Sequence, residues 1–383
     1  MFKFRLLTPG PSPVPEETLL ELAKPVQYHR TPEAKAILSE VLDGLKYCFR
    51  TTGDVCVITS SGTASVEAAQ VSAVPRGGKA IAAYAGRFGE RWHNVWKAHG
   101  IESVPVTAEY GTAVTPAQIE QALKAHPDAQ AVVVVHSETS TGVKHDLQAI
   151  GAVVAKTNAV LIVDAISGAV TMPCEMDAWG IDLMCTGSQK ALMLPPGLAF
   201  VAVSAKGKKR IEENKSVSGF YLDLKKYLSK LKDPDTPFTP AHTLIRALRV
   251  SLQKLRAEGI ENVWKRHAKL AAATRAGVAA LGLELFANPP ADGLTAVKVP
   301  AGIDGKALLS KAEKQYGLKI AGGQDQLAGK IFRFAHMGYC DFFDVLAALS
   351  GLEMVLKEMG HPVTLGSALT AAQKSYAGQV ELW

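Results

Sequence analysis

The feature that most limits how this chain can fold is a series of short, uninterrupted apolar runs between residues 79 and 204. KAIAAYA (79–85), AQAVVVVH (129–136), AVLIVD (159–164), DLMCTG (182–187) and LAFVAVS (198–204) lack the polar alternation of a half-solvated strand. Such runs suit strands covered on both faces, as in a largely parallel sheet. Helical patterns separate them, which makes this an α/β region with helices on both sides of the sheet. Just before it, residues 33–50 set Ile37, Leu38, Val41, Leu42, Leu45, Cys48 and Phe49 on one helical stripe.

After residue 240 the pattern changes. Leu244, Leu248, Ser251, Leu252 and Leu255 fall at helical spacing up to Gly259, and a long amphipathic helix follows from about Asn262. Strands are expected near 294–300 and 330–336. Helices are expected at 305–316 and 341–359, the latter with Asp341 as N-cap and Gly360 at its end. A chain of 383 residues has material for two domains sharing a cleft. The expected division is an N-terminal arm (1–20) packing with the small domain or a partner subunit, a large domain (21–258) and a small C-terminal domain (259–383).

Several function classes are disfavoured. Apolar residues make up 48% and no run is long enough to cross a bilayer. Prolines follow the short apolar patch of the N-terminus at once, which argues against an export signal. Cys48, Cys56, Cys174, Cys185 and Cys340 are scattered without a CxxC pair, so neither a metal site nor a disulfide framework is expected. A reducing, cytoplasmic setting fits. The net charge of +6 is mild, and the basic stretches 205–210 and 225–232 read as solvated surface, because no stacking aromatics interleave them. No nucleic-acid or membrane partner is expected. A nicotinamide oxidoreductase would need GxGxxG after the first strand, and none stands there.

In an open parallel sheet, ligands bind beyond the carboxyl ends of the strands. Three of the runs deliver polar residues there: HSETSTG (136–142), DAIS (164–167) and SQK (188–190). The loop SSGTAS (60–65) opens a helix nearby in the pattern. Each admits two readings. Lys190, with apolar neighbours and a Pro-Pro-Gly turn, either snorkels or pairs with an acid, or is a Schiff-base lysine whose amine partial burial keeps neutral. Asp164 caps a turn, or pairs with the ring nitrogen of a pyridine cofactor and keeps it protonated. SSGTAS is a plain N-cap or a phosphate cradle built on a helix start. Phe88 packs in the core or stacks on a flat ring. Arg333, inside the apolar strand IFRFAH, requires an anion, and a substrate carboxylate is the natural one.

The combination resembles the class V aminotransferases of pyridoxal-phosphate fold type I, in particular the alanine–glyoxylate and serine–pyruvate group. The segments that carry it are LLTPGPSPVP (6–15), HRTPE (29–33), SSGTASVEAA (60–69), GRFGER (86–91), HSETSTGV (136–143), VDAISG (163–168), TGSQKAL (186–192), PPGLAF (195–200) and FRFAHMGY (332–339), spanning nearly the whole chain. The resemblance implies an α/β fold in which a mostly parallel seven-stranded sheet between helices forms the large domain, beside a smaller α+β domain. It implies pyridoxal 5'-phosphate as cofactor, with Lys190 carrying it and Asp164 as its pyridinium partner. Ser61, Gly62, Thr63 and Gln189 match the phosphate site, Phe88 the stacking aromatic, and Thr139 the position beside the ring oxygen. Arg333 matches the substrate-carboxylate arginine, with backbone near Gly10 lining the same pocket. The family forms homodimers with active sites at the subunit interface, and TPFTP (236–240) looks like the loop that crosses to the partner, Thr239 being the best match. Relatives often carry a tyrosine and two histidines before that threonine, where this chain has Thr236, Pro237 and Phe238.

The expected reaction is ping-pong transfer of an amino group from alanine or serine to glyoxylate or pyruvate. Within the same fold, a 2-aminoethylphosphonate or phosphoserine aminotransferase would need further cations for a second phosphate. A cysteine desulfurase would need a thiol between Lys319 and Phe332, where there is none. A lyase, or a non-catalytic subunit that keeps the fold, is a further alternative. The latter would be expected to have lost Lys190 or Asp164.

Overall fold

The apolar runs form the centre of the molecule. In the computed structural model, which describes residues 3–378, seven strands make one sheet: β1 (Asp54–Ser60), β2 (Lys79–Tyr84), β3 (Glu102–Thr107), β4 (Ala131–Val135), β5 (Val160–Asp164), β6 (Leu183–Gly187) and β7 (Gly197–Val203). Their order is β1-β7-β6-β5-β4-β2-β3, with β7 antiparallel to both neighbours and the others parallel. Every residue of β4, β5 and β6 is buried, as expected for strands covered on both faces. Two strands stand outside the sequence-based set. β3 is an edge strand, half-exposed and containing Pro105, so its pattern is polar. β1 is a short apolar run that passes directly into the SSGTAS loop.

Helices pack on the two faces. α1 (Pro32–Phe49) starts at Thr31, whose hydroxyl accepts from the Ala34 amide, with Pro32 in the first turn. α2 (Gly62–Ala73) and α3 (Arg87–Ala98) begin at the carboxyl ends of β1 and β2. α4 (His242–Glu258) ends at Gly259, which takes a φ of 85°, and α5 (Ile260–Ala280) starts at once, two residues earlier than the periodicity predicts.

The C-terminal part is smaller. Its three-stranded antiparallel sheet has β8 (Leu294–Lys298) and β9 (Ala321–Gly322) flanking β10 (Ile331–Ala335), which carries Arg333 at its middle. Helices Gly305–Tyr316 and α6 (Phe342–Glu358) lie where the sequence places them, and Asp341 forms a capping box with Asp344. The N-terminal arm is tied to this part. Arg5–Leu6 pairs with Leu318–Lys319, and the Ala335 amide donates to the Leu7 carbonyl. The arm then crosses to the large sheet, where the Ser12 amide donates to the Gln189 carbonyl and its hydroxyl to the Lys190 carbonyl at 2.7 Å. Among the described residues no helix is long and apolar enough to cross a membrane.

Candidate active site

Adjacent strands bring the two central groups together. Asp164 ends β5 in register with Val135 and Cys185 of its neighbours, and Lys190 follows the end of β6. Both side chains are buried. Burial raises the Asp164 carboxyl to about 6, with a contribution from the Glu138 charge, while bonds from the Ile166 amide (2.9 Å) and the Trp92 indole (2.8 Å) oppose the rise. Burial likewise lowers the Lys190 amine to about 8. Asp164 pulls that value up and Arg333 pushes it down, so the three charges sense one another. The Lys190 amine donates to the Pro9 carbonyl. Gly10, next to it, has a φ of 117°, and a Cβ there would collide with the amine, so both the backbone conformation and the close approach call for glycine.

α3 organises the middle of the site. Its first residues pass over Glu138, which is buried beyond the end of β4. That carboxylate accepts from the Phe88 amide at 3.4 Å, the Gly89 amide at 3.0 Å, and the Ser140 amide and hydroxyl at 3.0 and 2.6 Å. A carboxylate at a helix start is favoured by the free N–H groups and the helix dipole. Gly86 permits the contact, because a Cβ there would run into the Glu138 side chain. Phe88 is thereby held at the start of a helix rather than in a loop. One turn on, the Arg91 guanidinium lies 4.8 Å from the Phe88 ring centre and donates to the Thr63 hydroxyl at 3.2 Å, and Trp92 reaches Asp164. One helix therefore carries Phe88 and reaches both Thr63 and Asp164.

The SSGTAS segment opens α2. Ser61 is its N-cap residue but makes no side-chain cap bond, and the first-turn amides of Gly62 and Thr63 point out of the helix. Gly187 packs against Gly62, where a Cβ would stand 3.2 Å from the Gly62 nitrogen. The Gln189 amide lies beside it with its buried oxygen unpartnered. Turning that amide end for end would aim an N–H donor the same way.

Arg333 reaches across from β10. It is buried, and burial lowers it to about 10. Its Nε and Nη2 donate to the Gly322 carbonyl (3.0 and 2.6 Å) and its Nη1 to the Thr139 carbonyl (2.6 Å). Among the described residues it has no carboxylate partner within 4 Å, which leaves one N–H on each terminal nitrogen for an anion. Thr139 shares a 2.6 Å hydrogen bond with the Ser167 hydroxyl. Thr239 is exposed on the segment after Thr236 and does not join this group. Cys340 is buried, and burial pushes its thiol up, as befits a packing residue.

These residues fit a pyridine ring with a phosphate tail: an amine of lowered basicity, a buried carboxylate with no cation within 4 Å among the described residues, a ring-stacking aromatic, and a helix start beside an unpartnered amide. Glu138, Trp92, Arg91, Arg87 and Ser167 join the site without having been singled out from the sequence. The available signals were a glutamate inside a strand-end run of small polar residues, and Arg91 and Trp92 one helical turn after Phe88. No group of three or more His, Cys, Asp or Glu side chains placed to hold a metal occurs among the described residues.

The comparisons with known proteins agree with this geometry. Residues 15–336 match the model of the family described as aminotransferase class-V. The chain is 40% identical to the soluble hydrogenase small subunit of Synechococcus sp., over 97% of this chain and 98% of that one. It is 36% identical to the L-aspartate–glyoxylate aminotransferase of Paracoccus denitrificans, over 97% and 96%. The crystal structure of ureidoglycine–glyoxylate aminotransferase from Bacillus subtilis superposes with a TM-score of 0.93 at 31% identity, covering 98% of this chain and 99% of that one. The chain thus belongs to the class V aminotransferases, with their mostly parallel α/β fold, and is a transaminase that depends on pyridoxal phosphate.

Proposed function

We propose that the enzyme moves the amino group of a small amino acid, alanine or serine, to a small 2-oxo acid, glyoxylate or pyruvate, in two half-reactions at one site. The observation that carries the reading is the placement of a buried Lys190 amine and a buried Asp164 carboxylate at adjacent strand ends, near enough to feel each other's charge, with a buried Arg333 on β10 whose charge also acts on Lys190. Two of the relatives above are named for glyoxylate, which supports that acceptor.

The roles follow from the chemistry of the side chains. When bound, pyridoxal phosphate supplies an electron-poor ring that acidifies the substrate Cα–H bond and carries the amino group between the half-reactions. Lys190 would hold the cofactor, and its amine, when free, would take the proton from the substrate Cα. Its lowered basicity leaves a substantial fraction as free amine near pH 8. Asp164 keeps a negative charge opposite the ring nitrogen, and Trp92 and the Ile166 amide fix its orientation. Phe88 would stack on the ring, and Thr139 would stand beside its oxygen. Ser61, Gly62, Thr63 and Gln189 would hold the phosphate. Arg333 and the backbone at Gly10 would hold the substrate carboxylate and so fix the orientation of the Cα–H bond.

The same reading divides the chain at Gly259 into a large domain and a small one, with the arm belonging to the latter's surface. It makes the enzyme a cytoplasmic homodimer. Leu20, Val26, Tyr28 and Phe220 are exposed, as an apolar subunit interface requires, and Thr239 is exposed where a partner's phosphate site could receive it. Steady-state kinetics test the reaction. Alanine or serine with glyoxylate should give parallel double-reciprocal lines, and intersecting lines or inert alanine and serine would overturn the proposal.

A further inference from the structure

We propose that Arg87 is a specificity-determining residue that takes a second, distal carboxylate, so that four-carbon dicarboxylic amino and oxo acids are substrates too, with Asp325 holding that place in their absence. The inference rests on the preceding reading that Arg333 takes the α-carboxylate.

Two arginines are anchored on the same two stretches of chain. Arg333 donates to the carbonyls of Thr139 and Gly322. The Arg87 amide donates to the Ser140 hydroxyl at 3.0 Å, and its guanidinium pairs with Asp325, three residues beyond Gly322, at 3.3 Å. The two arginines are therefore tied to the same neighbouring stretches, residues 139–140 and 322–325, and the Arg87 charge is felt at Arg333. They differ in depth: the Arg333 residue is 4% exposed, while the Arg87 side chain is 40% exposed. Arg333 thus marks the buried floor of the site and Arg87 its exposed mouth. The Arg87 charge also disfavours protonation of Arg333, as expected for neighbouring cations.

The neutralisation of Arg87 is loose. Asp325 meets only its Nε, and the Asp325 side chain is 60% exposed. Asp325 takes a φ of 49°, unusual for a residue with a side chain, in a short 3-10 turn (Asp325–Leu327). Of the other carboxylates near the start of α3, Glu138 is fully engaged by the amides of Phe88 and Gly89 and by Ser140, and Glu90 accepts from the Tyr110 hydroxyl at 3.3 Å. Arg87 thus keeps both terminal nitrogens for a ligand. An exposed single-contact ion pair contributes little. A ligand carboxylate that replaces Asp325 exchanges one oxygen partner for another, and it can add the paired geometry that guanidinium favours. A ligand with carboxylates at both ends would span the floor and the mouth. A monocarboxylate leaves Arg87 with Asp325.

Calorimetry on the cofactor-loaded enzyme with succinate and butyrate, which differ by a carboxylate against a methyl at one end, tests this. Succinate should bind about tenfold more tightly than butyrate. Arg87→Met should bring that ratio close to one, Arg87→Lys should keep part of it, and Asp325→Asn should raise succinate affinity severalfold. A gain in Asp325→Asn cannot arise from misfolding. A succinate-to-butyrate ratio that Arg87→Met leaves unchanged, or a succinate affinity that Asp325→Asn leaves unchanged or lowers, would overturn the inference. Conversion of the wild-type cofactor spectrum by alanine, measured in parallel, separates the two readings: if alanine reacts and the ratio ignores Arg87, only the distal site falls.

Discussion

The floor of the cleft and its mouth are built on opposite principles. At the floor, Lys190, Asp164 and Glu138 are buried, and protein groups meet their bonding needs: Trp92 and Ile166 for Asp164, Pro9 for Lys190, and four donors for Glu138. At the mouth, Arg87 and Asp325 share one solvent-exposed contact. Burial retunes proton affinity, moving Asp164 up to about 6 and Lys190 down to about 8. Exposure leaves partners exchangeable. The chemistry of the site belongs to the first region and the choice of substrate to the second.

The largest effect that tests this contrast is expected at Asp164. Asp164→Asn should lower kcat by about 10³-fold, because the negative charge opposite the ring nitrogen is lost. The same change should remove a pH dependence from the stability of the cofactor-free protein. The native carboxyl is raised from 3.8 to about 6, so folding binds a proton there, and stability falls as the pH rises through that window. The variant lacks that titration, so in thermal unfolding the stability of the wild type relative to Asp164→Asn should fall by roughly 1–3 kcal/mol between about pH 4 and pH 7, on top of a constant cost for the amide set against the Ile166 and Trp92 donors. A stability difference that does not change with pH would mean that Asp164 does not titrate as a buried carboxyl.

Next comes Glu138. Glu138→Gln sets an NH2 group against amide donors at the start of α3, and it should cost about 1–3 kcal/mol of stability and weaken cofactor affinity. Because the Glu138 charge helps to raise Asp164, the acid midpoint of the Asp164-dependent stability change should move below 6. Loss of stability without that movement would reduce Glu138 to a packing role. The smallest effect belongs to the mouth, where Asp325→Asn should alter unfolding stability by less than about 0.5 kcal/mol. A larger loss would show that the two regions do not differ as described.

What was legible in the sequence follows the same division. Strands buried on both faces announce themselves as unbroken apolar runs, and a polar residue that ends, follows or interrupts such a run is legible, as Asp164, Lys190 and Arg333 were. The edge strand β3 was not, since it is half-exposed and interrupted by a proline. Glu138 and Trp92 were hidden for another reason. Their work depends on α3 crossing over the ends of β4 and β5, and no local pattern encodes which strand end a helix start meets. Arg87 differs from any surface arginine only through its position beside Ser140 and Asp325. Residues whose role is set by their own burial could be read; those whose role is set by a distant partner could not.

The central claim is that one amine, that of Lys190, holds the cofactor because burial keeps it partly unprotonated. Borohydride reduction of the cofactor-loaded enzyme, followed by peptide mapping by mass spectrometry, tests it directly. The account expects a single reduced cofactor adduct on Lys190, formed from cofactor-free protein at a rate that rises with pH to a midpoint near 8. An adduct on another lysine, or a midpoint near the 10.5 of a solvated amine, would contradict it.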